Sequence, residues 1–371
     1  MIIFILEPYF TGSHASWAKE YAHVSRHNVN ILSMRGEFWK WRMHGGAVTL
    51  ARSFLSCDVK PDLLLATDML DLTTFLSLIR KAGASVKTAI YFHENQLTYP
   101  WSPNDRDRIK QRDMHYAFIN YVSALAADGV FFNSDYHLNA FMDELVHFLK
   151  SFPDYNELTN AKCIKGKSRV LHLGMDLKQF DKHNTKRNGN VTKSPPLILW
   201  NHRWEYDKNP EAFFKALYKL DEEGLDFEIA ILGECFSRKP EIFLEAQQKL
   251  SSKIVHFGFV EDFEAYAKWL WKADILPVTS VQDFFGGSVV QAMYCNCYPL
   301  LPKRLAYPEH IPDELHPRFF YDDFDDLVGK LKNLIMNILE VRQAYVQTFV
   351  AKYDWQRMAP IYDNVFEGLA G

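Results

Sequence analysis

Four short segments of this 371-residue chain combine residue types that could do chemistry. The first is Asp283-Phe284-Phe285-Gly286-Gly287-Ser288-Val289-Val290-Gln291. An apolar run at 275–278 enters a loop there, and a helix is expected from about 288 to 296. Gly286 and Gly287 allow close backbone approach to a ligand. The helix start, with Ser288, offers N–H groups and a partial positive charge, which suit a phosphate. Asp283 and Gln291 flank that point and could hold hydroxyls of a sugar or ribose. Taken alone, such a segment is more often a plain strand-to-helix turn. The second segment, Asn201-His202-Arg203-Trp204-Glu205-Tyr206-Asp207-Lys208-Asn209-Pro210, follows an apolar run at 197–200. The Arg203 fork and the Lys208 point charge could neutralise a diphosphate leaving group. A solvated charged turn with Pro210 opening a helix accounts for the same residues.

The third segment is Glu7-Pro8-Tyr9-Phe10-Thr11-Gly12-Ser13-His14, where a first strand meets a first helix. Gly12, Ser13 and the helix start make a second place for a phosphate or sugar. His14 is an acid–base candidate or a structural helix residue, and Glu7 either faces the acceptor or pins the first turn. The fourth, His93-Glu94-Asn95-Gln96, directly follows an apolar run at 87–92. In a parallel sheet, polar groups at a strand's C-terminal end are where ligands bind. A basic run, Arg106, Arg108, Lys110 and Arg112, is the leading candidate for contact with a phosphate backbone, with a solvated face as the plain alternative. Asp322-Asp323-Phe324-Asp325-Asp326 looks like a carboxylate cluster for a metal, but it precedes an amphipathic stretch and reads as a helix cap.

The elements that must carry these segments alternate in a βαβα rhythm. Strands are expected at 2–6, 29–33, 63–66, 87–92, 129–133 and 170–173, and helices at 13–25, 70–81 and 112–125. This order predicts a mostly parallel sheet with helices on both faces. Residues 181–196 hold Lys, Asn, Thr, Gly and two prolines without apolar periodicity and read as a linker. A second series follows, with strands at 197–200, 227–232, 253–257 and 275–278. The expected domains are 1–183 and 197–352, joined by 184–196. An aromatic, amphipathic helix then covers 353–371 and packs on the second domain or crosses back to the first. Ligands are expected in the cleft between the strand ends of the two doubly wound domains.

Composition agrees with a globular protein: 48% apolar and 24% charged residues. The net charge of −4 argues against a general polyanion or DNA binder, although a local basic patch can serve instead. Five cysteines with scattered spacing give no zinc motif and suit a reduced cytoplasmic protein. The apolar start lacks a basic region and reaches Glu7 after a short run, so it reads as a buried strand rather than a signal peptide or membrane span.

Together the segments resemble retaining glycosyltransferases of family 4, which have the GT-B fold. Arg203 and Lys208 have that family's Arg-x4-Lys spacing, and Asp283 and Gln291 fall where it has Glu-x7-Glu. Within family 4, the stretches at 7–14, 91–100, 132–134, 202–208, 232–234 and 283–286 are similar to the tRNA-queuosine α-mannosyltransferase group. That resemblance runs in order along nearly the whole chain. It implies a metal-independent enzyme moving mannose from GDP-mannose to the cyclopentenediol of queuosine in a tRNA anticodon. It implies His93, Arg203, Lys208 and Asp283 as catalytic residues. Donor contacts would come from Gly12, Gly233, Gly258, Gly286, Gly287, Ser288 and Gln291. Glu7, Ser13, His14, Glu94, Asn95, Arg106, Arg108, Lys110 and Arg112 would serve the acceptor. Asp283 is shorter than the family's first Glu, and Gln291 is neutral where the second is charged. A family 4 enzyme acting on a glycan or small metabolite, and a non-catalytic sugar-nucleotide or RNA-binding module, are the alternatives.

Overall fold

The computed structural model describes residues 1–83, 86–102, 105, 114–184, 194–235 and 240–371. They form two compact units, Met1–Asp176 with Tyr353–Gly371, and Leu177–Lys352. The first unit contains β1 (Ile2–Phe10), α1 (Gly12–Val24), β2 (Asn28–Arg35), α2 (Trp39–Leu55), β3 (Leu63–Thr67), α3 (Leu72–Gly83) and β4 (Lys87–Phe92). It continues with α4 (His115–Ala126), β5 (Gly129–Phe132), α5 (Asp135–Lys150), α6 (Thr159–Gly166) and β6 (Ser168–Val170). All pairings in its sheet are parallel, in the order β2-β1-β3-β4-β5-β6. Every residue of β3 and β5 is buried, as a strand covered on both faces requires. The order reverses between β1 and β3, so the loops after these strands flank the switch point where such sheets bind ligands.

The second unit contains β7 (Leu197–Trp200), α7 (Pro210–Glu222), β8 (Glu228–Ile231), α8 (Glu241–Lys249), β9 (Ile254–Phe257), α9 (Phe263–Lys272) and β10 (Ile275–Pro277). Then come α10 (Gly287–Tyr294), β11 (Tyr298–Pro302), β12 (Phe320–Tyr321) and α11 (Phe324–Met336). Its sheet order is β12-β11-β10-β7-β8-β9, the doubly wound arrangement of nucleotide-binding domains, with the switch point between β7 and β10. Asp323 caps α11 by accepting from the Asp326 N–H at 2.9 Å, which gives the carboxylate run its structural use.

Several boundaries differ from the sequence expectation. Helices α2 and α5 and strands β11 and β12 had no counterpart in it, and β1 extends through Glu7 to Phe10. A 3₁₀ turn at Lys178–His183 lies in the second unit rather than closing the first. The reason is packing: Phe180 meets Phe263, and the Trp271 indole donates to the Phe180 carbonyl at 2.8 Å. Most of the expected linker, 185–193, falls outside the described residues. The terminal helix α12 (Trp355–Ala370) groups with the first unit. Its buried Asp363 accepts from the Tyr21 hydroxyl at 2.9 Å, the Ser25 hydroxyl at 2.6 Å and the Arg26 N–H at 3.0 Å. Among the described residues no helix is long and apolar enough to cross a membrane.

Candidate active site

In the second unit, the two strands at the switch point carry the two predicted donor segments. The loop after β7 holds Arg203 and Lys208, and the loop after β10 holds Asp283 and Gly286. Lys208 is buried, and its ammonium donates to the Gln282 carbonyl at 2.8 Å. It lies 3.1 Å from Asp207 and 3.1 Å from Asp283. Three acceptors thus match its three N–H groups. The Tyr307 hydroxyl donates to the other oxygen of Asp283 at 2.6 Å. Burial alone would raise the Asp283 pKa, but the Lys208 charge, His202 and the Tyr307 hydroxyl together hold it below the ordinary carboxylate value. Arg203 is exposed, with its guanidinium 3.8 Å from Glu205.

Gly286 takes φ +82°, a left-handed conformation that turns the chain into α10. Ser288, in the first turn of α10, places its hydroxyl 2.9 Å from His202 Nδ1. Asn201 donates to the Ser288 carbonyl at 2.8 Å, so side chains from the β7 loop fix the start of α10. Burial pushes the His202 pKa down to about 4, with Asp283 opposing the shift, and leaves the ring neutral. Its Nε2 is buried and, among the described residues, has no hydrogen-bond partner. Gly233, after β8, is required by contact: a Cβ there would lie 1.6 Å from the His202 carbonyl oxygen. Gln291 accepts from the Tyr266 hydroxyl at 2.9 Å. Gly258 follows the edge strand β9 and stands apart from the switch point.

In the first unit, the loops after β1, β3 and β4 bring together a second cluster. Buried Glu7 accepts from the Tyr9 N–H at 2.8 Å, and its other oxygen lies 2.9 Å from His14 Nδ1. Burial would lower the His14 pKa, but Glu7, with Asp68 and Glu94, outweighs it and raises the value to about 9, so the imidazole is charged at neutral pH. The His93 ring packs 4.2 Å from it, centroid to centroid. Burial, then the His14 charge, hold His93 well below its ordinary pKa and therefore neutral. Among the described residues its Nε2 has no hydrogen-bond partner. Asp68, at the end of β3, accepts from the His93 N–H at 2.8 Å. Burial raises its carboxyl pKa, with His14 opposing. One donor atom each from Glu7, His14 and His93 lies within 4.8 Å of the others, a spacing that could accept a metal ion.

The remaining predicted residues divide by contact. Glu94 accepts from the Gln96 side chain at 3.0 Å. Asn95 belongs to the turn instead of pointing outward: its Oδ1 accepts from the Leu97 N–H at 3.0 Å and the Thr98 N–H at 2.9 Å. Gly12 and Ser13 are exposed at the start of α1, which puts Gly12 in the first unit and the other expected donor residues in the second. Arg106, Arg108, Lys110 and Arg112 lie outside the described residues. Asp68, Asp207, His202 and Tyr307 were missed by sequence reasoning. Asp68 ends an apolar strand run, and His202 and Asp207 sit inside the segment already singled out, so position could have found these three. Tyr307 reaches Asp283 from a distant segment and left no local signal.

Comparison with known proteins assigns both halves. Residues 2–175 match the family described as tRNA-queuosine alpha-mannosyltransferase N-terminal, and residues 181–347 match glycosyl transferases group 1. A Drosophila melanogaster relative named tRNA-queuosine alpha-mannosyltransferase is 33% identical over 98% of this chain and 96% of its own. Sucrose-phosphate synthase from Thermosynechococcus elongatus has a similar structure, with a TM-score of 0.69 at 14% identity over 99% of this chain and 98% of that one. So does Anabaena HepE in complex with UDP and glucose, with a TM-score of 0.64 at 15% identity over 100% and 99%. The fold is GT-B.

Proposed function

The chain belongs to the tRNA-queuosine alpha-mannosyltransferase family of glycosyltransferases, and from that premise we propose that it moves mannose from GDP-mannose to the cyclopentenediol of queuosine in a tRNA anticodon, with retention at the anomeric carbon. The bond from the anomeric carbon to the donor diphosphate breaks. A bond to an acceptor hydroxyl oxygen forms on the same face, and the acceptor proton leaves on a donor phosphate oxygen. The products are GDP and mannosylated tRNA.

The protein's part is electrostatic. Arg203 and the N-terminal N–H groups of α10, with Ser288, stabilise the charge that develops on the diphosphate, so this scheme needs no metal ion. Lys208 has its donors engaged within the loops and contributes from behind, as a fixed charge that also orients Asp283. Asp283 takes a hydroxyl of the donor sugar, and Gln291 takes the ribose. Gly286, Gly287 and Gly233 keep the backbone close to the nucleotide. Neutral His93, whose Nε2 has no hydrogen-bond partner among the described residues, takes a sugar hydroxyl in the transition state. Glu7, Ser13, charged His14 and Glu94 serve the acceptor. The enzyme would act in the cytoplasm, where its five cysteines stay reduced.

The observation that most supports this reading is the position of the Arg203 loop and the α10 N-terminus on β7 and β10, the strands flanking the switch point. Product analysis tests it. With GDP-mannose and queuosine-containing tRNA, the α-mannoside should form; an inverted anomer, or transfer from another sugar nucleotide only, would overturn the assignment.

A further inference from the structure

Between β2 and α2 the chain reads Arg35-Gly36-Glu37-Phe38-Trp39-Lys40-Trp41-Arg42. Two of its aromatic rings are in solvent: Phe38 is 75% exposed and Trp41 62%. Neighbouring aromatics are not. Trp39 packs on Tyr116, centroids 5.1 Å apart, beside the buried Met43, Met69 and Ile119. The Lys40 ammonium lies 2.8 Å from Asp105 and over the Trp39 and Trp101 rings at 5.5 and 5.4 Å. Trp39 and Lys40 thus anchor the turn and leave Phe38 and Trp41 outside it.

Three features show that this exposure is built in. Phe38 takes φ +53°, a strained conformation for a bulky residue and one that holds its ring at the mouth of the turn. A Cβ at Gly45 would come within 2.7 Å of the Trp41 indole, so the glycine lets that ring lie along α2 with its outer face free. A Cβ at Gly36 would come within 2.3 Å of Thr11, and one at Gly46 within 2.8 Å of Pro8. The turn and α2 therefore rest directly on Thr11 and Pro8, in the segment that links Glu7 to Ser13 and His14. Arg35 is exposed beside it, and the Arg42 Nε donates to the Arg35 carbonyl at 3.0 Å, which holds that guanidinium at the same turn.

We infer that Phe38 and Trp41, with Arg35 and Arg42, form a stacking surface for unpaired anticodon-loop nucleotides of the tRNA acceptor. Exposed aromatic faces beside guanidinium groups suit single-stranded RNA, whose bases stack while the cations meet phosphates. Continuity with the Glu7–His14 loop puts the surface beside the acceptor-side residues. The inference rests on the tRNA reading above and adds the means by which the loop is held.

Steady-state kinetics and fluorescence-anisotropy binding with purified queuosine-containing tRNA test it. Phe38→Gly is the clean probe, because glycine adopts φ +53° without strain and its loss of the ring cannot be confused with backbone damage. Phe38→Gly and Trp41→Ala should each weaken tRNA binding roughly tenfold and raise the tRNA KM, not lower kcat. Phe38→Tyr and Trp41→Phe should stay within about twofold, since they keep an aromatic face. Arg35→Ala with Arg42→Ala should flatten the salt dependence of binding. Unchanged tRNA affinity in Phe38→Gly and Trp41→Ala, with modification by the wild type intact, would overturn the inference and leave the tRNA reading standing. A shift only in oligomeric state would assign the surface to a protein contact and also overturn it. Wild-type protein that neither binds nor modifies this tRNA would overturn both.

Discussion

Lys208 lies 3.1 Å from Asp283 and 3.1 Å from Asp207, so one buried ammonium is shared by two carboxylates at the end of β7. Removing the cation alone leaves two like charges with little water. Lys208→Met should therefore destabilise the protein by about 3–5 kcal/mol in urea unfolding, and adding Asp283→Asn should recover part of that. The Asp283 pKa is depressed in the fold, so its contribution is present above the unfolded carboxylate pKa and is lost as pH falls through the folded value. Equal stability of the wild type and Lys208→Met would contradict the shared-cation arrangement.

Arg203 offers the opposite contrast. Its side chain is 45% exposed, so Arg203→Ala should change stability by no more than about 0.5 kcal/mol. Its kcat/KM for the sugar nucleotide should fall by about 10²-fold or more, if the guanidinium meets the leaving diphosphate. Near-normal turnover in a fully folded variant would remove Arg203 from the donor site.

The Glu7–His14 pair predicts a pH signature. The His14 pKa is raised in the fold from 6.5 to about 9, so its stabilisation is complete below pH 6.5 and disappears as pH rises through about 9. Glu7→Gln removes that partner. The stability gap between wild type and Glu7→Gln should thus be larger at pH 6 than at pH 9.5, measured by chemical denaturation. A gap that is the same at both would mean that His14 is neutral.

Gly233→Ala should be among the most damaging small substitutions in the second unit. Its Cβ would fall 1.6 Å from the His202 carbonyl oxygen, and backbone cannot move aside as a flexible side chain can. A loss of several kcal/mol, or displacement of the His202 loop with loss of donor binding, is the expected outcome. A crystal structure of the variant with the loop unmoved would contradict the contact.

The sequence made β3, β4 and β7 readable because parallel strands buried over nearly all their length are short apolar runs ended by polar residues. It hid α2, whose apolar face is interrupted by Trp39, Trp41 and two glycines that serve contacts rather than periodicity. In the candidate site, the placement of Arg203, Lys208 and Asp283 in loops after strands was legible, because each follows an apolar run. Their relation was not: nothing local says that Lys208 binds Asp283 rather than solvent, or that Tyr307 completes the pair. The turn made by Asn95 was not legible for a related reason, since a turn-forming side chain and an acceptor ligand have the same address after β4.

The protein is incubated with GDP-mannose or other sugar nucleotides and with tRNA from cells that make queuosine or cannot make it; the tRNA is then digested and its nucleosides are weighed. One added hexose is expected, on queuosine alone and from GDP-mannose. An added hexose on another nucleoside, or queuosine unchanged with every donor, would contradict it.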